Sequence, residues 1–149
     1  MRITGGRLGR LRVPLTVPFR TALREVDRID DLVLRLETDT GAVGHGSAAA
    51  TAMITGDTHA SIEAALRGHL LPAVLGGDVS ELPALLDRLN RAMAGNPSAK
   101  AAVDIALHDL AAQAAALPLH RFLGSGVEDA VTLDTDLTIS ANPLPTMLA

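Results

Sequence analysis

The residues best placed for acid-base chemistry are a lysine, an aspartate and a histidine spaced four residues apart. Lys100, Asp104 and His108 occupy positions i, i+4 and i+8 of a segment with helical periodicity, and Asp109 follows directly. On a helix this spacing brings the three side chains onto one face, where a histidine beside a carboxylate could transfer a proton. The same spacing is typical of a solvated helix face on which opposite charges pair, and we favour that interpretation.

A second pair of carboxylates lies in the strictly alternating segment AVTLDTDLTIS, residues 130–140. Asp134 and Asp136 share one face of the predicted strand and could bind a divalent cation or act as acid and base. Two carboxylates do not complete a site without ligands from elsewhere, so we interpret them as polar residues in a wet interior or hydrogen-bonded at a strand end. The five histidines, at positions 45, 59, 69, 108 and 120, match no zinc-binding spacing.

Two further segments stand out because they are apolar where a loop is expected. Arg20 and Arg24 flank small and apolar residues in a loop predicted over residues 18–24. A loop arginine is more often solvated than bound to a ligand, but if the loop covers a site, its guanidinium could bind a carboxylate in a bidentate pair. The segment AAATAMITGDT, residues 48–58, precedes a predicted helix and carries no charge before Asp57. Because loop backbones normally face water, such a loop is either buried or covers a ligand.

The composition excludes several classes of protein. The 149 residues are 48% hydrophobic, with a formal net charge of -4, so a nucleic-acid-binding surface is not expected. There is no cysteine, which excludes disulfides and thiol nucleophiles. No apolar run approaches the roughly 20 residues of a membrane span, and the N-terminus lacks the apolar core of a signal peptide. We therefore expect a cytoplasmic protein that binds neither nucleic acid nor membranes.

The elements that must position these residues begin with strands. Residues 7–15 alternate apolar and polar side chains, and Pro14 places that strand at an edge. The segment DDLVLRLETDTGAVGHGSAA alternates again and turns at residues 39–41, so it predicts two further strands. The result is a three-stranded antiparallel meander.

Three helices are predicted next. The first begins after Asp57 or Thr58 as the capping residue and ends at Pro72 or at residues 76–77. The segments ELPALLDRLNRAMAG and AKAAVDIALHDLAAQAAAL predict the second and third helices. The strand predicted at 130–140 then lacks an obvious partner. The fold class is therefore α+β, with a meander followed by a helical bundle and one strand whose partners lie beyond the sequence.

One segment resembles a known family. AKAAVDIALHDLAAQAAALPLHRFLG, from Ala99, closely resembles the segment that ends the N-terminal cap domain in the mandelate racemase and muconate lactonizing branch of the enolase superfamily. The segments VPLTVPFRTALR, GAVGHG, ATAMITGD, GNPSAKAAV and TDLTIS look like those of dipeptide epimerases, especially the Ala-Glu type. The resemblance covers essentially the whole chain.

This resemblance implies a division into a cap domain, residues 1–127, and the start of a truncated (β/α)₈ barrel, residues 128–149. In such proteins the loops that match residues 19–24 and 50–57 close over the barrel mouth and select the substrate. The residue that matches Arg24 is associated with the side-chain carboxylate of the glutamate in an Ala-Glu dipeptide. The substrate-binding residues implied by the resemblance are Phe19, Arg24, Met53, Ile54, Thr55 and Thr138.

The resemblance also implies an isomerase that uses Mg²⁺ and a dipeptide substrate, in a homo-oligomer. Its chemistry removes the proton α to a carboxylate with lysines of the second and sixth barrel strands, while carboxylates of the third to fifth strands hold Mg²⁺. A barrel needs roughly 200 or more residues, so we expect this chain to contain no catalytic residue or metal ligand and to be inactive by itself. One departure concerns His45-Gly46-Ser47, where the family often has Trp-Gly-Glu.

Two alternatives remain open from the sequence. The reaction could be that of another superfamily member: muconate cycloisomerase, o-succinylbenzoate synthase or N-acylamino acid racemase. The chain could also be a standalone interaction domain, in which another copy covers the apolar loop and the last strand. Arg24 and the segment ATAMITGD favour the dipeptide interpretation.

Overall fold

The computed structural model describes residues 1–124, 134 and 139–147. The strands are β1 (Ile3–Arg20), β2 (Glu25–Thr38) and β3 (Val43–Ala49). The helices are α1 (His59–Ala65), α2 (Leu71–Val74), α3 (Leu82–Arg91), α4 (Pro97–Ala114), α5 (Leu119–Leu123) and α6 (Leu144–Met147). A π-helical turn, Leu66–Leu70, joins α1 to α2, and a 3₁₀ turn, Val79–Glu81, precedes α3.

The predicted meander is confirmed: the three strands are antiparallel in the order β1-β2-β3. Only residues 31–37 of β2 pair with β3, whereas the pairing of β1 with β2 continues well past them. The sheet therefore projects as a two-stranded extension, which we call the hairpin arm (residues 12–30). Leu32, Leu34 and Leu36 of β2 are buried under the helices.

The first strand is longer than predicted. It runs from Ile3 to Arg20 instead of ending near Leu15, so the predicted loop of residues 18–24 shrinks to a tight turn. Pro14 is tolerated because β1 lies at the sheet edge and one side of its backbone has no partner strand. The pairing register shifts between Pro14 and Phe19, so the outer half of the hairpin arm pairs in a different register from the inner half.

The core is aliphatic, as expected for a chain without tyrosine or tryptophan. Leu34, Leu107 and Leu110 are fully buried, and α4 packs across β3 and β2. Each such leucine contributes roughly 1.5–3 kcal/mol relative to an exposed one, so the sheet-helix interface contributes substantially to the hydrophobic stabilisation.

The close approach of α4 to β3 depends on two glycines. A Cβ on Gly44 would overlap the carbonyl oxygen of Ala106, and a Cβ on Gly46 would overlap that of Ala102. Because the helix backbone occupies the space of a side chain, only glycine fits at these strand positions.

The outer edge of β3 is covered by two polar side chains of α4. Asp109 accepts a hydrogen bond from the backbone N–H of His45 at 2.9 Å. Gln113 donates to the carbonyl of Val43 at 2.9 Å and to Asp109 at 3.1 Å. These side chains bond to edge groups that would otherwise be open to pairing with another strand.

The structure decides between the two candidate caps of the first helix. Thr58 caps α1 in a reciprocal pair with Ser61, so it is the capping residue of the two candidates. Asp57 is buried and accepts a hydrogen bond from the N–H of Ser98 at 3.2 Å. Its carboxylate thus serves the N-terminus of α4, where Asn96 provides no side-chain cap. The end of the 48–58 loop is anchored to α4 in this way.

The first predicted helix continues through Pro72. The π-helical turn Leu66–Leu70 places that proline in the first turn of α2. Proline is tolerated there because backbone N–H groups of a first helical turn do not bond within the helix. The helix ends at Val74, just before residues 76–77, the later of the two predicted ends. The backbone there pairs with Ile3, with the Gly76 N–H bonded to its carbonyl at 2.9 Å.

The strand predicted at residues 130–140 lies almost entirely outside the described residues. Of its two carboxylates, Asp134 is exposed and Asp136 is not described. The domain boundary at 127/128 therefore stays a prediction. Among the helices that the structure describes, none combines the length and the apolarity that crossing a membrane would need.

Candidate functional site

A cleft of about 610 Å³ opens between the hairpin arm and the start of the 48–58 loop. It forms where β3 ends at Ala49 while β1 and β2 continue, so the inner side of the arm has no third strand beside it. Phe19 and Arg24 line the arm side, and Thr51 and His59 line the opposite side. The two segments singled out in the sequence therefore face each other.

The turn at the tip of the arm fixes the backbone of Arg24. The N–H of Thr21 donates to the carbonyl of Arg24 at 2.8 Å, and the Thr21 hydroxyl accepts from the N–H of Arg24 at 3.2 Å. Thr21 therefore holds Arg24 from both sides, and the position of the arginine follows that of the turn.

The two arginines at the tip differ in their partners. Arg20 forms an ion pair with Glu25, with Nε at 2.7 Å from the carboxylate. Arg24 is half-buried and lines the cleft, and its guanidinium makes no hydrogen bond or ion pair with any residue in the part of the chain that the structure describes. A guanidinium with open donors in a cleft can bind a planar anion such as a carboxylate through two parallel hydrogen bonds.

The predicted residues of the second loop lie away from the cleft wall. Met53 and Ile54 are 73% and 62% exposed, at the tip of a short turn in which Thr55 bonds to Thr51. Neither these two residues nor Thr55 lines the cleft; Thr51 does. The structure thus brings Phe19 and Arg24 together and leaves the apolar loop tip pointing into open space. Thr138 lies outside the described residues.

A carboxylate at the base of the hairpin arm joins the arm to helix α1. Asp30 accepts from Arg10 at 2.7 Å and pairs with Arg12 at 3.3 Å. Hydrogen bonding from Arg10, with a smaller contribution from Arg12, lowers the pKa of Asp30 from 3.8 to about 2. His59, the first residue of α1, donates from Nε2 to the Asp30 carbonyl at 2.7 Å.

The contacts of His59 select one neutral form of its ring. Nε2 faces a carbonyl acceptor, and Nδ1 faces the Arg10 guanidinium at 3.4 Å, which can only donate. A neutral imidazole with its proton on Nε2 satisfies both neighbours. The ring therefore holds the start of α1 against Asp30.

We expect acid to weaken this connection between the arm and α1. The folded-state pKa of Asp30 lies below 3.8, so its ion pairs stabilise the fold fully above pH 3.8 and are lost as the pH falls toward about 2. Urea unfolding midpoints measured from neutral pH to about 2 should decline over that window, and Asp30→Asn should flatten this part of the decline. Asp87→Asn, which removes an exposed pair with Arg91 on α3, is the matched control and should leave the Asp30 contribution in place. An unchanged profile in Asp30→Asn would contradict the assignment.

The lysine-aspartate-histidine row on α4 has structural partners. Lys100 donates to the carbonyl of Asn90 at 3.0 Å, and His108 lies 3.0 Å from the Asp104 carboxylate and packs edge-on against Phe122. His108 and Asp104 thus form one of the expected i,i+4 contacts, whereas Lys100 bonds to a backbone carbonyl instead of Asp104.

Metal-binding clusters are absent from the described residues: no group of three or more histidine, cysteine, aspartate or glutamate side chains is arranged to hold an ion. The described residues therefore do not fit a Mg²⁺ site.

Sequence reasoning missed three residues of this region. Asp30 appeared as an ordinary strand residue, Asp57 only as a candidate cap of the first helix, and His59 as one of five scattered histidines. The signal available for Asp30 was the presence of Arg10 and Arg12 on the adjacent strand β1. Which of these arginines face it depends on the pairing register, and the sequence alone did not specify that register.

Comparison with known proteins shows close relatives among dipeptide epimerases. The chain is 47% identical over 135 residues, 91% of its length, to the L-Ala-D/L-Glu epimerase of Clostridium acetobutylicum, of which it covers 37%. It superposes on a substrate-liganded L-Ala-D/L-Glu epimerase of Bacillus subtilis with a TM-score of 0.92 and 45% identity, over 99% of this chain and 40% of that one.

A third relative is a dipeptide epimerase of Methylococcus capsulatus, solved with Mg and the dipeptide L-Arg-D-Lys. It matches with a TM-score of 0.87 and 36% identity, over 99% of this chain and 41% of that one. The chain thus spans about two fifths of the length of these proteins.

The match to a family model covers most of the fold. Residues 7–124, from β1 through α5, match the model described as the mandelate racemase / muconate lactonizing enzyme N-terminal domain. The order of meander and helices, and the superposition on solved relatives, agree with that match. The chain belongs to the N-terminal domain family of mandelate racemases and muconate lactonizing enzymes.

Proposed function

We propose that this chain is the substrate-selecting cap of a Mg²⁺-dependent epimerase of acidic dipeptides such as Ala-Glu. The observation that supports the proposal is Arg24, a half-buried residue that lines the cleft between the hairpin arm and the 48–58 loop and whose guanidinium bonds to none of the described residues. The L-Ala-D/L-Glu epimerases among the relatives support an acidic substrate.

The cap contributes recognition, and its residues have distinct tasks. Arg24 binds the side-chain carboxylate of the substrate in a bidentate pair. Phe19, beside it on the arm, supplies an apolar wall that keeps water away from that pair and thereby strengthens it. Met53, Ile54 and Thr55 form a tip that covers the ligand when the remainder of the site is present, which accounts for their exposure here.

The proton-transfer groups and the metal ligands belong to chain outside these 149 residues. The substrate is an α-amino-acid residue whose Cα proton is removed on one face and returned on the other. Thr138 is proposed to contact the substrate from the first barrel strand. The sequence that follows Ala149 should contain a Lys-x-Lys at the end of the next strand, then Asp, Glu and Asp closing the three strands after it.

The test is exchange of the glutamate α-proton of L-Ala-L-Glu in D₂O, followed by NMR. We expect the protein that carries this chain together with a barrel to catalyse exchange when Mg²⁺ is present and to lose it with a chelator. The 149-residue chain alone is expected to catalyse none. Metal-dependent exchange by the 149-residue chain would contradict the proposal that the catalytic groups and metal ligands lie outside it.

The substrate assignment is tested by comparing turnover of Ala-Glu with turnover of the substrates of the three related reactions. These substrates are muconate, an o-succinylbenzoate precursor and N-acylamino acids. Turnover of one of them, with no use of Ala-Glu, would overturn the dipeptide assignment. A homo-oligomeric state and a cytoplasmic location stay predictions.

A further inference from the structure

The outer half of the hairpin arm has little to hold it in place from within the sheet. β3 ends before it, the pairing register shifts between Pro14 and Phe19, and both Pro14 and Pro18 lack an N–H. Val17 and Leu23 are 63% and 66% exposed. A two-stranded ribbon of this kind is marginally stable alone, so a defined position for its tip needs an external contact.

The structure contains such a contact about 120 residues away in the sequence. The hydroxyl of Ser140 accepts a hydrogen bond from the backbone N–H of Arg20 at 2.8 Å, and the N–H of Ala141 donates to the Arg20 carbonyl at 2.9 Å. Both backbone groups of one arm residue are thus bonded to the segment 139–141. The carbonyl of Pro18 lies 3.5 Å from the same hydroxyl, within reach of its proton.

This contact connects directly to the guanidinium in the cleft. Arg20 precedes Thr21, and Thr21 holds Arg24 through its backbone and its hydroxyl. Ser140 fixes Arg20, Thr21 is covalently bonded to Arg20, and Thr21 closes the turn that contains Arg24. The position of Arg24 therefore depends on Ser140. A shift of the tip of about 1 Å would spoil a bidentate pair, since both hydrogen bonds need correct distance and angle.

We propose that Ser140 is a positioning residue that latches the tip of the hairpin arm and so sets where Arg24 meets the substrate carboxylate. The proposal rests on the proposed function for its substrate, whereas the latch itself is a property of the fold. Ser140 lies two residues after Thr138 in the sequence. The latch therefore connects the tip of the hairpin arm to the segment that contains Thr138, the other proposed substrate contact.

The first test measures the latch without turnover. Hydrogen exchange of the Arg20 amide is followed by NMR in the protein and in Ser140→Ala and Ser140→Thr. Ser140→Ala should speed exchange of this amide at least about five-fold, the effect of losing one hydrogen bond, and Ser140→Thr should restore protection. The control is Ser47→Ala, on the exposed side of β3. Unchanged exchange in Ser140→Ala would overturn the latch.

The second test measures its consequence in the protein with its barrel. Ser140→Ala should raise KM for Ala-Glu roughly three- to ten-fold while kcat changes less than about two-fold, and Ser140→Thr should restore KM. In an Arg24→Ala background the same change should have no further effect, because the latch acts through Arg24. Additive effects, or an unchanged KM with faster Arg20 exchange, would overturn the positioning role. If Ala-Glu is not turned over at all, the proposed function fails, and the exchange measurement still decides the latch.

Discussion

Replacing Gly46 with alanine is expected to lower the free energy of unfolding by about 3 kcal/mol. The added Cβ would overlap the carbonyl oxygen of Ala102, which belongs to the backbone of α4 and cannot rotate away as a side chain could. Either α4 moves off β3, which exposes the buried Leu107 and Leu110, or the strand is distorted. Each response loses packing at the interface that carries the core.

The measurement should use far-UV circular dichroism during urea unfolding, because the protein has neither tryptophan nor tyrosine as a fluorescent probe. Gly9→Ala is the matched control: Gly9 also lies in a strand, and a Cβ there meets no atom within 4 Å. It should change the free energy of unfolding by less than about 0.5 kcal/mol. Equal effects of the two substitutions would mean that the helix does not pack on Gly46.

The general fold could be predicted because its signals are local. Alternation at Leu32, Leu34 and Leu36 specified one face of a strand, and the turn at residues 39–41 specified an antiparallel partner. The helical stripes and the stop at residues 76–77 likewise depend on neighbours in sequence. Elements defined by local periodicity were therefore found with nearly correct limits.

The features that were missed depend on contacts between distant residues. The length of β1 is set by pairing with β2, which resumes at Phe19 and Arg20 although Pro14 and Pro18 weaken a strand locally. Asp57 accepts a hydrogen bond from Ser98 at the start of α4, 41 residues later in the sequence. Asp109 bonds to His45 at the edge of β3, 64 residues earlier. Composition and spacing carry no signal for such partners.

The family signature on α4 has a structural explanation. The alanines in AKAAVDIALHDLAAQ let the helix backbone approach Gly44 and Gly46, and Asp109 and Gln113 bond to the exposed edge of β3. The spacing of four residues between these two polar residues puts both on the same edge-facing side. The segment that identified the family therefore stabilises the cap and does not contact the candidate cleft.

The candidate site was only partly accessible to sequence reasoning. An arginine in an apolar loop suggested an anion site, and the resemblance supplied Arg24 as its centre. Thr51 lines the cleft, whereas Met53, Ile54 and Thr55 do not, and the sequence could not distinguish them because all belong to one loop. That distinction depends on the helical turn of residues 51–55, which directs the tip outward.

Replacing Arg24 with alanine is expected to reduce kcat/KM for Ala-Glu at least about 100-fold in the protein with its barrel. Hydrogen bonds to a charged group contribute about 1.5–3 kcal/mol, and two of them are lost together with the favourable charge in a partly buried cleft. The loss should appear mainly in KM if the carboxylate is bound equally in the ground and transition states. A dipeptide without a side-chain carboxylate, such as Ala-Ala, should change less than about three-fold, because it never uses the guanidinium.

Two further variants make this expectation specific. Arg20→Ala is the matched control four residues away: its guanidinium already pairs with Glu25, so use of Ala-Glu should fall less than about three-fold. Arg24→Lys should recover only part of the activity, since an ammonium cannot form the planar pair. If Arg20→Ala and Arg24→Ala impair Ala-Glu equally, the arginines act through the overall charge of the arm. If neither matters, carboxylate recognition lies elsewhere, and the open donors of Arg24 serve another anion.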